Sequence, residues 1–520
     1  MTYLSVLSTS KLRKQMSVVK HNILANFLGQ GWTGLMALVF LPVYINYLGV
    51  EAYGLIGLFT VLQTLLMLLD AGMTPTLNRE MARYKSSGVN AQYIRNLLYS
   101  LEVICFCVAI TVGLVVWGLS GYIVNSWLNI DKLSLDVVHQ SFSIMAFIIA
   151  LRFLEGIYRG SLFGLEKQVW YNSVYSLLAT LRYGGAVLIL EWVSTSIEAF
   201  FIWQAIISLL VVTLLSIKVH NILPKITVAL KFSRESLSGV WKFASGMMGI
   251  TFFTMIFLQA DKLLVSKFLP LEEFGYYSLA MTAAAVLYMI VVPVTQAIYP
   301  KMVGYITVNN KRGLFSIYHK TTQLVVVLIA PAMMLLYFYG NEVIFLWSGR
   351  VDLASEVGPL LSVLALGAFL NSLSYLPYQM QIAHGWTGLV LKINIIVVMA
   401  LIPVIILIIP EFGALGSAWV WVIANAVYLV ALVHFMHRDF MYNEKSQWYS
   451  IDLLFPSMGA LTVILLSMFA QPKELDGRLD WFVFLFCVYV ITVFVAIFFA
   501  PFVRHEVSTY FYNIRSKIIK

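Results

Sequence analysis

Of 520 residues, 60% are hydrophobic and only 11% charged, and the formal net charge is +9. That balance inverts the one found in soluble domains, so water is not the main solvent of this chain. An unpaired backbone amide costs several kcal/mol in hydrocarbon, which leaves helices and closed barrels as the spanning structures. The apolar runs here are helix-length rather than short and alternating, so the expected class is an all-α polytopic membrane protein.

The first twenty residues carry Lys11, Arg13, Lys14 and Lys20, with no short apolar stretch ending in a small-residue cleavage site. No leader is therefore expected to be removed, and the first span itself is expected to direct insertion. Runs of about 20 apolar residues place spans near Asn22 to Leu48, Tyr53 to Leu77, Leu97 to Leu119, Val138 to Phe163 and Val169 to Leu190. Further spans run Ile197 to Ile217, Phe243 to Leu269, Phe274 to Tyr299, Thr321 to Gly340 and Val357 to Ile382. The last four run Leu389 to Ile409, Phe412 to Met436, Leu453 to Ala470 and Trp481 to Val503, about fourteen in all.

An even count puts both termini on one side, and the basic residues say which. Segments on the side of the termini hold 25 of the 34 Lys and Arg residues, and the opposite loops hold Lys132, Lys267, Arg350, Lys473 and Arg478. By the positive-inside rule both ends are expected in the cytoplasm. These cations are scattered among short loops and not gathered in a folded domain, so nucleic acid is not an expected partner. Cys105, Cys107 and Cys487 all fall in apolar runs, which argues against a disulfide framework or a thiolate metal site.

The longest loop, Lys218 to Lys242, includes a basic stretch, Ile226 to Trp241, suited either to the membrane surface or to a plain polar linker. A shift of 221 residues superimposes Leu48, Glu51, Tyr53, Gly54, Leu58 and Leu66 on Leu269, Glu272, Phe274, Gly275, Leu279 and Leu287. Two pseudo-symmetric six-helix lobes are expected from this match, 1–217 and 243–437, joined by a cytoplasmic linker, 218–242. Two further helices and a basic tail complete the chain at 438–520. A shift by an even number of helices keeps orientation, so the repeat is parallel and its axis stands along the membrane normal.

Ionisable groups within spans cost about 2.5 to 3.5 kcal/mol each at a helix centre unless they face a cavity or a partner. Eight stand clear of the span ends: Asp70, Glu102, Arg152, Glu155, Arg159, Arg182, Asp261 and Lys262. Arg152, Glu155 and Arg159 share one face of the fourth span, and Arg182 is central in the fifth. Arginine offers a planar, permanently charged fork that suits phosphate; a self-satisfied Arg–Glu–Arg face with Arg159 reaching the aqueous boundary is the plainer alternative. Asp261 and Lys262 adjoin on the seventh span and point about 100° apart, so they do not simply neutralise each other. Asp70 suits a coupling ion, a buried Arg or a backbone hydrogen bond.

Polar stripes run along the first span (Asn22, Asn26, Gln30, Thr33) and the tenth (Asn371, Ser374, Tyr378, Gln381), placed to meet sugar hydroxyls or to pack helices together. His434 and His437 lie at a helix end, as expected of interfacial residues and not of a metal site. No glycine-rich phosphate loop and no Asp-x-Asp pair is present, so ATP hydrolysis and nucleotide-sugar chemistry are not expected, nor is any cofactor.

The run Leu68-Leu69-Asp70-Ala71-Gly72-Met73 with Arg79 and Lys85, and later Ala260-Asp261-Lys262, Phe274-Gly275-Tyr276 and Pro293 to Pro300, resembles the Wzx-type polysaccharide (O-antigen) flippases of the multidrug/oligosaccharidyl-lipid/polysaccharide exporter superfamily. With the span count and the duplication, the resemblance covers nearly the whole chain. It implies a non-enzymatic flippase of the bacterial inner membrane that carries undecaprenyl-diphosphate-linked oligosaccharide to the periplasmic leaflet by alternating access, through a cationic cavity and coupled to H+ or Na+. Expected substrate-binding residues are Arg152, Arg159, Arg182, Lys262, Asn26 and Gln30, and expected ion-coupling residues are Asp70, Glu155 and Asp261. A polysaccharide polymerase and chain-length regulator are implied partners. Rival readings are a lipid II flippase of the MurJ type, a multidrug cation antiporter, and a membrane glycan polymerase or ligase.

Overall fold

The computed structural model describes residues 2–70, 73–87, 90–224, 229–232, 234–472 and 477–518, with the side chains of 2–20, 23, 66, 67, 69, 86, 87, 234–250, 387, 510, 511 and 513–518 left out. Ile226, Thr227, Val228 and Ser233 of the basic stretch, together with Ala71, Gly72 and Lys473, therefore lie outside the described residues, as do the side chains of Arg234 to Trp241 and of Lys11, Arg13, Lys14 and Lys20.

Among the described residues nearly all secondary structure is helical. In order come α1 (Thr2–Leu48), α2 (Val50–Leu66), α3 (Met73–Ser87), α4 (Ala91–Tyr122), α5 (Leu135–Gly164), α6 (Gln168–Trp192), α7 (Ile197–Ile222), α8 (Arg234–Phe268) and α9 (Leu271–Ala284). There follow α10 (Val286–Thr307), α11 (Lys311–Phe338), α12 (Gly340–Ser348), α13 (Val351–Ala383), α14 (Thr387–Phe440) and the short α15 (Lys445–Gln447). A π-helical segment, Trp448–Leu454, leads on to α16 (Phe455–Phe469), α17 (Arg478–Phe498) and α18 (Pro501–Ile518).

Among the described residues eleven helices are long and apolar enough to cross a membrane. One of them, Gly388–Phe440, is two spans in one run, because Gly413 (φ 56, ψ −148) takes a backbone conformation that only glycine adopts readily and the axis turns there. Adding α2 and α8 gives the fourteen expected from the sequence. Polar residues cap the starts: Asn90, Ser134, Ser196 and Asn310 each accept a hydrogen bond from a first-turn N–H of the helix they precede.

The chain divides into two compact units, one formed by 1–255 with 270–272 and the other by 256–269 with 273–520. In the first unit α1 packs on α6, while α5 is flanked by α3, α4 and α7. Its core gathers Leu77, Met81, Ile94, Leu97, Ile157, Leu162, Val211 and Val219, all nearly inaccessible. In the second unit α13 packs along α14 and α11, and α16 and α17 lie against α11. Large apolar side chains such as Leu114, Trp117, Met399, Leu407 and Phe494 stand exposed on both units, as a hydrocarbon solvent permits.

Candidate functional site

The charged face of α5 is built where that helix meets α3 at close range. Gly156, Gly160 and Gly164 recur every four residues. A Cβ at Gly160 would lie 2.6 Å from the Thr74 carbonyl oxygen, and one at Gly164 would lie 2.3 Å from that of Asn78. Glycine is therefore what lets the α3 backbone rest on α5, as small residues do between membrane helices.

The second span is not the continuous helix that Tyr53 to Leu77 suggested. It ends as an α-helix at Leu66, makes a 3₁₀ turn at Met67–Asp70 and restarts at Met73. Pro75, in the first turn of α3, has no N–H to extend a helix from the preceding segment. Asp70 meets the restart directly: its Oδ1 accepts from the Thr74 N–H at 3.1 Å and from the Thr74 hydroxyl at 2.8 Å. Asp70 thus makes the expected backbone hydrogen bond, and it also interacts electrostatically with Arg159.

The broken span and the α5 face enclose a cavity of about 360 Å³ lined by Gln63, Asp70, Thr74, Pro75, Arg152, Glu155, Arg159 and Tyr175, among others. Four of the predicted residues thus share one chamber inside the first unit. Glu155 is buried and Arg159 is solvent-accessible. Beside them Tyr171 and Tyr175 stack with ring centroids 5.2 Å apart.

Arg182 of α6, buried to 6% exposure, interacts electrostatically with Arg152, Glu155 and Tyr175. The Nε atoms of both Arg152 and Arg182 are buried with no hydrogen-bond partner. Three guanidinium groups against two carboxylates leave one surplus positive charge, and desolvated donors without an acceptor are costly.

The structure places the other predicted residues elsewhere. Asn26 is held between α1 and α6: its amide donates to Gln168 at 3.3 Å, and its oxygen accepts from Asn172 at 2.6 Å. Gln30 is exposed on α1. In the second unit the Asp261 carboxylate accepts from the Tyr277 hydroxyl at 2.7 Å, with its other oxygen unpartnered. Lys262 donates within its own helix, to Leu258 O at 3.1 Å and to Gln259 Oε1 at 3.2 Å. Glu102 sits 3.4 Å from His220. On the tenth span Asn371 donates to Asn425 at 2.7 Å and Gln381 to Leu432 O at 3.4 Å, so those two side chains pack α13 against α14.

One polar network carries no clear signal in the sequence. His319 Nδ1 bonds Asp452 Oδ2, His319 Nε2 lies 3.1 Å from Glu444, and Gln323 donates to Asp452 at 2.8 Å and accepts from the Phe502 N–H at 2.8 Å. It joins α11, the π-helical segment and α18. Asp452 sits at the edge of an apolar run that begins at Leu453, so only its complete burial, visible in three dimensions, sets it apart. No group of three or more His, Cys, Asp or Glu placed to hold a metal ion occurs among the described residues.

Comparison with known proteins identifies the family. A profile described as polysaccharide biosynthesis protein matches residues 19–306, more than half of the chain. A candidate O-antigen transporter of Shigella flexneri is 21% identical over 412 residues, spanning 78% of this chain and 94% of its own. The succinoglycan biosynthesis transport protein of Rhizobium meliloti (strain 1021) is 24% identical over 303 residues, 55% of this chain and 56% of that one. Among solved structures, the lipid II flippase MurJ in an inward closed conformation superimposes with a TM-score of 0.69 at 14% identity, over 93% of this chain and 98% of that one. An inward-facing multidrug MATE transporter gives 0.63 at 13% identity, over 78% and 94%. At such identities the structural likeness speaks for the fold, and the profile for the family: the chain belongs to the polysaccharide biosynthesis protein family.

Proposed function

We propose that this protein moves an undecaprenyl-diphosphate-linked oligosaccharide from the cytoplasmic to the periplasmic leaflet of a bacterial inner membrane, both termini being cytoplasmic. The observation that carries this reading is the pair of buried, unpartnered guanidinium Nε atoms of Arg152 and Arg182 beside the chamber. A volume of about 360 Å³ falls at the low end of ligand sites, which run from about 300 to 1,000 Å³. It suits a diphosphate head, while the many hydroxyls of the saccharide need a wet path and the lipid tail stays in the bilayer.

In this mechanism Arg152, Arg159 and Arg182 receive the diphosphate through bidentate, charge-assisted hydrogen bonds. Asp70 and Glu155 border the same chamber, so a proton or Na+ on either carboxylate and the anionic head influence one another through their charges. Lys262 and Asp261 are assigned to the second unit's share of the pathway. Carrying a head of about two negative charges outward gains roughly 4 to 5 kcal/mol per 100 mV, inside negative. Access to the chamber alternates between the two membrane faces, and a polymerase with its chain-length regulator receives the product.

Deletion of the gene tests the reading. Lipid-linked repeat units are expected to accumulate on the cytoplasmic leaflet and surface polysaccharide to disappear. Normal sidedness of the lipid-linked glycan in the deletion strain would refute the function. Transport unaffected by collapsing the membrane potential and ion gradients would refute only its energetic part.

A further inference from the structure

A second cavity lies in the second unit, where the end of α14 approaches α15 and the π-helical segment. Its volume is about 900 Å³. Three properties set it apart from an ordinary surface crevice. Its upper rim is cationic, with Arg438 and Lys445 both on the lining. Lys445 Nζ donates to His434 Nδ1 at 3.0 Å and keeps two further hydrogens, while Arg438 gives Nε and one Nη to the Asp439 carboxylate at 2.7 and 3.4 Å and keeps its other Nη for a second acceptor.

Below the rim the wall turns apolar. Leu454, which lines the cavity, is half exposed, and Phe455 follows it on the membrane-crossing run Lys445–Phe469. Tyr442, also on the lining, is exposed, and an aromatic with a polar tip is the kind of side chain that favours the boundary between headgroups and hydrocarbon.

The floor holds an unmet acceptor. His437 lines the cavity at 1% exposure, and its Nδ1 is 2.9 Å from the Val433 carbonyl oxygen. A carbonyl only accepts, so Nδ1 carries the hydrogen, and neutral Nε2 is left as a bare acceptor with no partner. The serines Ser446 and Ser450 add hydroxyls to the lining.

We propose that this groove is a binding site for an anionic glycerophospholipid. Lys445 and Arg438 hold the phosphate, a headgroup hydroxyl donates to His437 Nε2, and an acyl chain follows Leu454 along the thirteenth span. A cationic rim directly above a lipid-facing apolar wall complements a molecule with both characters, and a soluble phosphate would use only the rim. The site is separate from the chamber at Arg152 and does not depend on what that chamber carries.

The test uses the purified full-length protein in detergent, with native mass spectrometry reading lipid retention. Phosphatidylglycerol, anionic and hydroxyl-bearing, is compared with phosphatidylcholine, which has no net charge and no headgroup donor. Retention of phosphatidylglycerol is expected to exceed that of phosphatidylcholine by about tenfold or more, and to fall roughly tenfold to thirtyfold in the Arg438→Gln, Lys445→Gln variant, as two cations at an anionic surface dictate. Should that variant not fold, Lys445→Met alone is expected to lower retention about fivefold. Phosphatidylglycerol is expected to be retained better than phosphatidylmethanol, an anionic phosphodiester with no headgroup donor, and His437→Leu is expected to abolish that preference while keeping the preference over phosphatidylcholine. Equal retention of the charged and uncharged lipids, or no change in the variants, overturns the site. Displacement of the lipid by millimolar inorganic phosphate overturns the lipid as its occupant.

Discussion

Glu51 and Glu272, equivalent positions in the two halves of the duplicated sequence, grip the same turn. Both belong to the first unit. The buried Glu51 carboxylate accepts from the backbone N–H groups of Asp131, Lys132 and Leu133 at 2.7, 2.8 and 3.0 Å. Glu272 pairs instead with the exposed Lys132 ammonium, and Leu271 N donates to Asn129 O at 2.8 Å beside it. One repeated residue thus serves as a buried anion clamp in one half and as a surface partner in the other.

Removing the clamp is expected to be expensive. Glu51→Ala leaves three backbone N–H groups of the turn without their buried acceptor and should cost about 1 to 3 kcal/mol, read as a lower thermal midpoint in detergent. Glu272→Gln breaks only an exposed pair and should stay within about 1 kcal/mol. Equal losses for the two would contradict the difference in burial.

The Glu272 carboxylate, by accepting a hydrogen bond from Lys132, raises that ammonium above its ordinary value. A group raised on folding contributes fully below its unfolded pKa, about 10.4 for lysine, and loses that contribution as the pH climbs through the folded value. Lys132→Met should therefore narrow the stability gap between neutral and strongly alkaline pH. A wild-type and variant gap of the same size would show the pair to be inert.

Close packing of α3 on α5 makes its own prediction. Gly164→Val places a side chain where the Asn78 carbonyl oxygen stands 2.3 Å from the Cβ position, and backbone cannot withdraw cheaply. A loss of about 2 to 4 kcal/mol is expected, together with impaired transport, because α3 carries the Thr74 to which Asp70 is bonded. Gly31→Ala, where nothing lies within 4 Å, is the control and should fold normally.

Arg182 allows charge and geometry to be separated. Arg182→Ala is expected to abolish surface polysaccharide at unchanged protein abundance. Arg182→Lys retains the charge but not the bidentate fork, and about tenfold slower transport is expected. Normal polysaccharide in the alanine variant would remove Arg182 from the site.

His319 and Asp452 should be coupled. Removing either alone strands a buried polar partner and is expected to cost about 2 to 4 kcal/mol, whereas the His319→Gln, Asp452→Asn pair should cost less than the sum. Additive losses in the double-mutant cycle would deny the direct bond.

Sequence alone determined the solvent, the class, the number of spans and the residues that hydrocarbon should not tolerate. Those follow from local quantities: the length of each apolar run and the charge within it. Arg152, Glu155 and Arg159 could be placed on one face because helical periodicity is local as well. The equivalence of Glu51 and Glu272 was also legible, as a spacing.

Tertiary structure decided which polar groups meet. Asn26 and Asn371 carry the same stripe-like signature as pathway residues, yet Asn172 and Asn425 on neighbouring helices occupy them. Asp452 looked like the polar edge of a span and proved to be fully buried against His319. The break at Asp70 depends on Thr74 and on α3 reaching the glycines of α5. An amide or carboxylate has the same composition whether its partner is a facing helix, water or a ligand, and only the packing of distant segments selects among them.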